Sequence, residues 1–197
     1  MSDDYFADDN LLEHIKLHIS DAAALQAAEQ AIVTEKTADL LEETPPKDFG
    51  LEYLKHIHQV LFGDIYDFAG QIRTVDIAKP DSAVPFAHAA YIVPEAERIF
   101  SELRDKKYFS GLDKSAFVAG IVSLAADLNA LHPFREGNGR ALRLFLILLA
   151  DHAGYLLDYS QVSAQALIEA DKRAFEGDST LLLAMYEKVV IPQAPRH

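Results

Sequence analysis

The chain contains no cysteine in 197 residues, which excludes disulfides, thiol nucleophiles and thiolate metal sites. It is also short of basic charge: 18 Lys and Arg stand against 31 Asp and Glu, a formal net charge of −13. A field of that sign repels phosphate backbones, so direct binding to nucleic acid is not expected, and a basic protein partner is easier to accommodate. Long apolar runs are missing too. The longest, Leu144 to Ala150, is far short of the roughly 20 residues that a membrane-spanning helix needs. The first ten residues, MSDDYFADDN, are acidic where a secretory signal would be basic and then apolar. These absences lead to the expectation of a soluble, cytoplasmic protein with no membrane partner.

What is present is the balance of a compact chain, with half the residues hydrophobic, a quarter charged and only 9 Gly and 8 Pro. No repeat, low-complexity tract or linker-like shift divides it, so residues 1–197 read as a single domain. Ser20-Asp21 followed by an Ala-, Leu- and Glu-rich stretch to Glu43 predicts a long helix, stopped by Thr44-Pro45-Pro46. Leu51, Leu54, Ile57 and Leu61 recur at helical spacing and predict a second, ending near Gly63. Pro94 opens a helix from Glu95 to Lys107, and Asp113 caps another whose Phe117, Ile121, Leu124 and Leu128 share one face. Ala141 to His152 is apolar nearly all round, as a central buried helix should be, and Gly154 is placed to end it. Ser160 and Asp178 read as caps of two closing helices. Against this helical background Thr74 to Ala78 alternates and is β-branched, Lys79-Pro80-Asp81-Ser82 carries turn chemistry, and Pro85-Phe86 follows. The expected architecture is therefore an all-α helical bundle with one small β-hairpin.

The chemistry concentrates in LHPFREGNGR, Leu131 to Arg140. Here one helix ends at His132, and Gly137-Asn138-Gly139 opens the next. Unpaired N–H groups at a helix start bind phosphate, and two glycines let the backbone approach an anion with no Cβ in the way. Arg140 and Arg143, three apart, add two guanidinium groups, so the site should hold a polyphosphate. Glu136, a single carboxylate beside that nest, suits Mg²⁺ that takes its other ligands from a nucleotide. His132 is the nearby group able to accept a proton at neutral pH, and the helix start keeps its ring neutral. Phe134 alternates away from His132 and Glu136 and reads as a core anchor. A lone histidine is usually packed or solvated and a lone Gly-x-Gly is weak evidence; their joint occurrence within ten residues carries the reading.

His132-Pro133-Phe134-Arg135-Glu136-Gly137-Asn138-Gly139-Arg140, followed by Ala141-Leu142-Arg143, resembles the full Fic motif at every specified position. Ile57-His58, Leu61 to Asp64, Tyr66 to Arg73 and Phe86-Ala87 are similar to the upstream part of bacterial Fic toxins, so the likeness spans Tyr5 to Val190. It implies a Fic fold with a core of about 50–190 and an N-terminal helical extension of about 5–45. It also implies AMP transfer from ATP to a hydroxyl of a target protein, with His132 as base and Glu136 as the Mg²⁺ ligand. Gly137, Asn138 and Gly139 would form the anion hole, and Arg140 and Arg143 would hold the outer phosphates. The hairpin, within Val75 to His88, becomes a flap that pairs with an extended segment of the target. Lys79 stands there with Pro80 where many relatives have Lys-Gly, and is carried over as a nucleotide or target contact. His58, on an amphipathic helix, is read as packed or hydrogen-bonded.

Similar stand-alone toxins modify the ATPase subunits of type II topoisomerases, which makes these the first expected target. Other transfers on the fold, of phosphate or phosphocholine, and a silent binding module are the alternatives; the intact Gly137-Asn138-Gly139 argues for AMP. Fic proteins are commonly silenced by Ser/Thr-x-x-x-Glu-Gly/Asn. The two Glu-Gly pairs, Glu136-Gly137 and Glu176-Gly177, do not fit it, since Lys172 stands four before Glu176. The resemblance therefore implies a small separate antitoxin that supplies the inhibitory glutamate against Arg143. The alternative is a degenerate brake from Glu176 or from the Ser20 to Glu43 helix.

Overall fold

A computed structural model describes residues 11–19, 21–77 and 85–194. Helix α1 (Ala22–Glu42) starts where the Asp21 carboxylate accepts the Ala24 N–H at 2.8 Å and stops before the prolines. It lies on the bundle surface, with Leu40 buried and Ile32 and Val33 half-buried. Helix α2 (Leu51–Phe62) is amphipathic and turns Leu54, Ile57, His58, Leu61 and Phe62 inward, against α1 and α5 (Asn138–His152).

Helix α4 (Lys114–Leu131) is capped by the Asp113 carboxylate on Ala116 N–H at 2.9 Å. Its predicted stripe is buried, and Val118, Val122 and Ala125 are buried beside it. By length and composition α4 is apolar enough to cross a membrane. In this fold it is the central helix, packed against α3 (Ile92–Asp105), α5, α6 (Ala164–Phe175) and α7 (Thr180–Val189).

Several expectations are corrected. The described parts of the expected hairpin, residues 74–77 and 85–88, carry no strand, and residues 78–84, with Lys79, lie outside the described residues. The paired strands occur elsewhere: β1 (Tyr155–Leu157) and β2 (Val190–Pro192) run antiparallel, with Leu156 opposite Ile191. Gly154, at φ 89°, turns the chain from α5 into β1, and the β-branched Val189-Val190-Ile191 stretch lets α7 run out into β2. Helix α3 ends two residues early because Lys107, Tyr108 and Phe109 all take left-handed conformations. That turn puts Phe109 in the core against Phe117 and the Tyr108 hydroxyl on Asp48 at 2.7 Å. The cap of α6 is Ser163 rather than Ser160, which sits in a short turn on the Asp158 carboxylate. Ser179 precedes α7, while Asp178 still accepts the Thr180 N–H at 3.0 Å.

His58 joins two layers. Its Nε2–H donates to the Glu136 carbonyl at 2.8 Å, and its Nδ1 accepts the Gly70 N–H at 2.9 Å. Phe134, 1% exposed, stacks on its ring at 3.8 Å. The reading of His58 as a packed, hydrogen-bonded residue holds. The Gly70 bond requires the neutral ring, and burial pushes its pKa down from 6.5 to about 4 against the opposing pull of the Glu136 carbonyl. The depressed value means that the unfolded chain takes up a proton first as pH falls. His58 therefore costs no stability above about pH 6.5, and its penalty grows as pH drops to about 4. His58→Gln keeps a donor and an acceptor but does not titrate. Between about pH 7 and pH 4 the parent should lose about 3 kcal/mol more stability than this variant in denaturant titrations. Parallel losses would show that the ring is not held neutral.

Candidate active site

The last residue of the α4 turn, His132, takes φ 45° and ψ 63°, a left-handed conformation that reverses the chain. Its N–H still bonds the Leu128 carbonyl at 3.1 Å. The imidazole, on a residue only 5% exposed, stacks on Phe86 with ring centres 3.8 Å apart and planes 16° apart. Phe86 in turn packs on Phe175, and with Ile77 these form a small apolar cluster separate from the main core. His132 Nδ1 lies 3.3 Å from the Asn129 carbonyl. A carbonyl only accepts, so Nδ1 carries the proton and Nε2 is the basic nitrogen.

From His132 the loop drops Phe134 into the core and returns to start α5 at Gly137, again left-handed at φ 75°. A Cβ at Gly137 would sit 2.5 Å from the Phe62 ring, so only glycine fits both the conformation and the space. Asn138, the first helical residue, uses its side chain inwardly. Its Oδ1 accepts the Phe134 N–H and its Nδ2 donates to the Phe134 carbonyl, both at 2.8 Å. The side chain of Asn138 thus clasps the loop, and its backbone N–H is what it can offer an anion. The first main-chain bond of α5 runs from Ala141 N–H to the Gly137 carbonyl, so the N–H groups of Asn138, Gly139 and Arg140 precede the intrahelical ladder.

Glu136 is buried, with Oε1 accepting from Arg140 Nη2 at 3.2 Å one turn along. Arg140 also pairs tightly with Glu29 of α1, 111 residues away in sequence, and its guanidinium lies 4.7 Å over the Phe62 ring. The Tyr66 hydroxyl donates to Glu29 at 3.1 Å. Arg143, half-buried on the next turn, faces a different neighbourhood: its charge acts on the Tyr159–Tyr186 hydroxyl pair, 3.0 Å apart. The desolvated Tyr159 hydroxyl is nevertheless pushed up to about 12. The loop therefore gathers His132, Glu136, the α5 start and Arg140, with Arg143 one turn beyond. Lys79 lies outside the described residues.

The sequence reading missed Glu29, which gives no local sign of reaching Arg140 from a mostly exposed helix. It also missed the stacking of Phe86 on the His132 ring, although Phe86-Ala87 belongs to the stretch that carries the family likeness.

Comparison with known proteins matches residues 48–150 to the Fic/DOC family. The chain is 37% identical over 175 residues to an Escherichia coli K12 protein named probable protein adenylyltransferase Fic, covering 89% of this chain and 86% of that one. It is 38% identical over 172 residues to protein adenylyltransferase VbhT of Bartonella schoenbuchensis, covering 87% of this chain and only 36% of VbhT. Among solved structures, the N-terminal Fic domain of a VirB-translocated Bep effector from Bartonella quintana with bound ADP superposes with a TM-score of 0.90 at 26% identity, covering 98% of this chain and 97% of that one. BepC of Bartonella tribocorum with bound AMPPNP gives 0.86 at 27% identity, covering 91% and 92%. With the motif, the helical fold and these relatives in agreement, the chain belongs to the Fic/DOC family.

Proposed function

We propose that the chain transfers AMP from ATP to a hydroxyl side chain of a target protein. It is a protein adenylyltransferase, as its curated relatives are named. The observation that carries this reading is the single loop that holds a Nε2-basic imidazole, a buried carboxylate and the unpaired N–H groups of a helix start. His132 Nε2 takes the proton of the target hydroxyl, whose oxygen attacks the α-phosphorus while pyrophosphate leaves. The α5 N–H groups and Arg143 hold phosphate oxygens, with Arg140 and Lys79 as further contacts. One buried carboxylate beside an anion-binding helix start is a donor set that fits Mg²⁺, so Glu136 would hold the ion. Bound there, Mg²⁺ supplies charge that offsets the phosphates.

The segment from Val75 to His88 would dock an extended stretch of the target, and the ATPase subunit of a type II topoisomerase is the first target to try. The transfer would take place in the cytoplasm. Residues 50–190 or so serve as the transferase core, with α1 as an N-terminal extension. With no Ser/Thr-x-x-x-Glu-Gly/Asn in the chain, restraint would come from a small antitoxin protein that directs a glutamate at Arg143. A second reading has support from one observation: Glu29 of α1 already pairs with Arg140, so α1 itself could restrain the phosphate clamp.

ATP labelled at the α-phosphate should leave its label on protein in a cell extract, and ATP labelled at the γ-phosphate should not; the reverse outcome would mean phosphorylation. His132→Ala should lower kcat by at least about 10²-fold with nucleotide affinity largely kept, and near-normal transfer would remove it as base. Glu136→Ala should weaken the Mg²⁺ dependence of ATP binding, whereas superimposable Mg²⁺ titrations would mean that another group holds the ion. Glu29→Gln decides between the two modes of restraint. A parent already active alone and little changed by Glu29→Gln points to restraint in trans; a silent parent switched on by Glu29→Gln places the brake in α1.

A further inference from the structure

Arg73 is a buried guanidinium whose hydrogen bonds among the described residues all go to main-chain carbonyls. The residue is 2% exposed, and its side chain is fully covered. Nε donates to the His132 carbonyl at 2.8 Å, Nη1 to Val75 at 2.7 Å, and Nη2 to Ala87 at 2.5 Å and more loosely to Leu131 at 3.4 Å. The nearest carboxylate, Asp76, stands 4.0 Å away and is exposed. Burial lowers the Arg73 pKa and Asp76 opposes that shift, yet a guanidinium stays charged over the working range. A charge buried without a bonded carboxylate is costly unless dipoles surround it. Here they do, including the negative end of α4.

These four carbonyls come from three places that transfer has to align. Leu131 and His132 belong to the turn that carries the base. Val75 lies just before the 78–84 segment, and Ala87 just after it. The main chain repeats the linkage, with Arg73 N–H on the Pro133 carbonyl at 2.9 Å and Ala87 N–H on Ala130 at 3.1 Å. Capping α4 alone would take one or two donors on Leu131 and His132. The donors sent to Val75 and Ala87 tie both flanks of the flap to the same plane. A lysine could not replace this, because an ammonium is a point donor and cannot span carbonyls on opposite sides of a planar fork.

We infer that Arg73 is a positioning residue for the acceptor: it fixes the register between Val75 and Ala87, the two flanks of the proposed target-docking segment, and the imidazole of His132. This rests on the proposed role of that segment in docking the target. It makes acceptor alignment, rather than nucleotide binding, the property that Arg73 controls.

The test compares the full chain with Arg73→Lys and Arg73→Gln. Amide hydrogen exchange and the His132 imidazole resonances, recorded with AMPPNP bound, require no target. Steady-state AMP transfer to a purified type II topoisomerase ATPase subunit gives the kinetic arm. In both variants we expect exchange at the Ala87 amide to rise at least tenfold, the His132 resonances to shift or broaden, and the dissociation constant of AMPPNP to stay within about twofold. In the kinetic arm kcat should fall at least tenfold and KM for the acceptor should rise, with Lys as defective as Gln although it keeps the charge. The inference is overturned if Lys restores transfer to the parent level. It is equally overturned if the variants melt earlier but the folded protein keeps its Ala87 protection and His132 signals, or if AMPPNP affinity falls in step with kcat. Should the parent modify no protein, the functional reading fails on that arm alone, and the exchange and imidazole arm still decides whether Arg73 sets the register.

Discussion

The end of α4 is the constraint on which the site depends. A helix that stops inside a protein leaves its last carbonyls without partners, and each buried one is costly unless something donates to it. Here the donors come from the chain segments that need to be nearby. Ala130 is served by the Ala87 amide, Leu131 and His132 by the Arg73 guanidinium, and Pro133 by the Arg73 amide. Asn129 is served by the imidazole of His132 itself. Completing the helix end and orienting the His132 imidazole are therefore the same set of bonds.

From this end the loop has little freedom. The left-handed turn at His132 sends Phe134 inward onto His58, and the paired bonds between Asn138 and Phe134 close the loop on itself. His58 holds the Glu136 carbonyl from below, and Phe62 leaves room only for glycine at 137. Truncating a buried phenylalanine such as Phe134 typically costs about 3–5 kcal/mol, a large share of the stability of an ordinary domain. The loop is consequently packed as core is, which holds His132 and Glu136 at fixed positions.

The parts of this arrangement that were legible in the sequence are those written in local chemistry. The stripe of α4, the Asp21 and Asp113 caps and the inward Phe134 follow from spacing and side-chain type, and the structure has them in place. The gathering of His132, Glu136 and the α5 start was legible because ten consecutive residues encode it. Contacts between distant segments were not. Nothing in the α1 sequence marks Glu29 among its other carboxylates, and Arg73 looks like any charged residue until its four carbonyls are seen. The strand expectation failed for a related reason: alternation over five residues suits a strand, but pairing needs a partner, and the pairing found joins β1 to the end of α7. Ser160 was a sound cap by type, and the Asp158 carboxylate captured it first.

The backbone of His132 carries one more consequence. A left-handed residue other than glycine, here at φ 45°, sits in a conformation that costs roughly 1–2 kcal/mol for an ordinary side chain. Glycine would relieve that backbone strain, but it would also uncover the face of Phe86 and leave the Asn129 carbonyl without the imidazole that now donates to it. Main-chain conformation and side-chain burial therefore pull residue 132 in opposite directions. The turn keeps a strained backbone because the ring it carries is part of the packing around it.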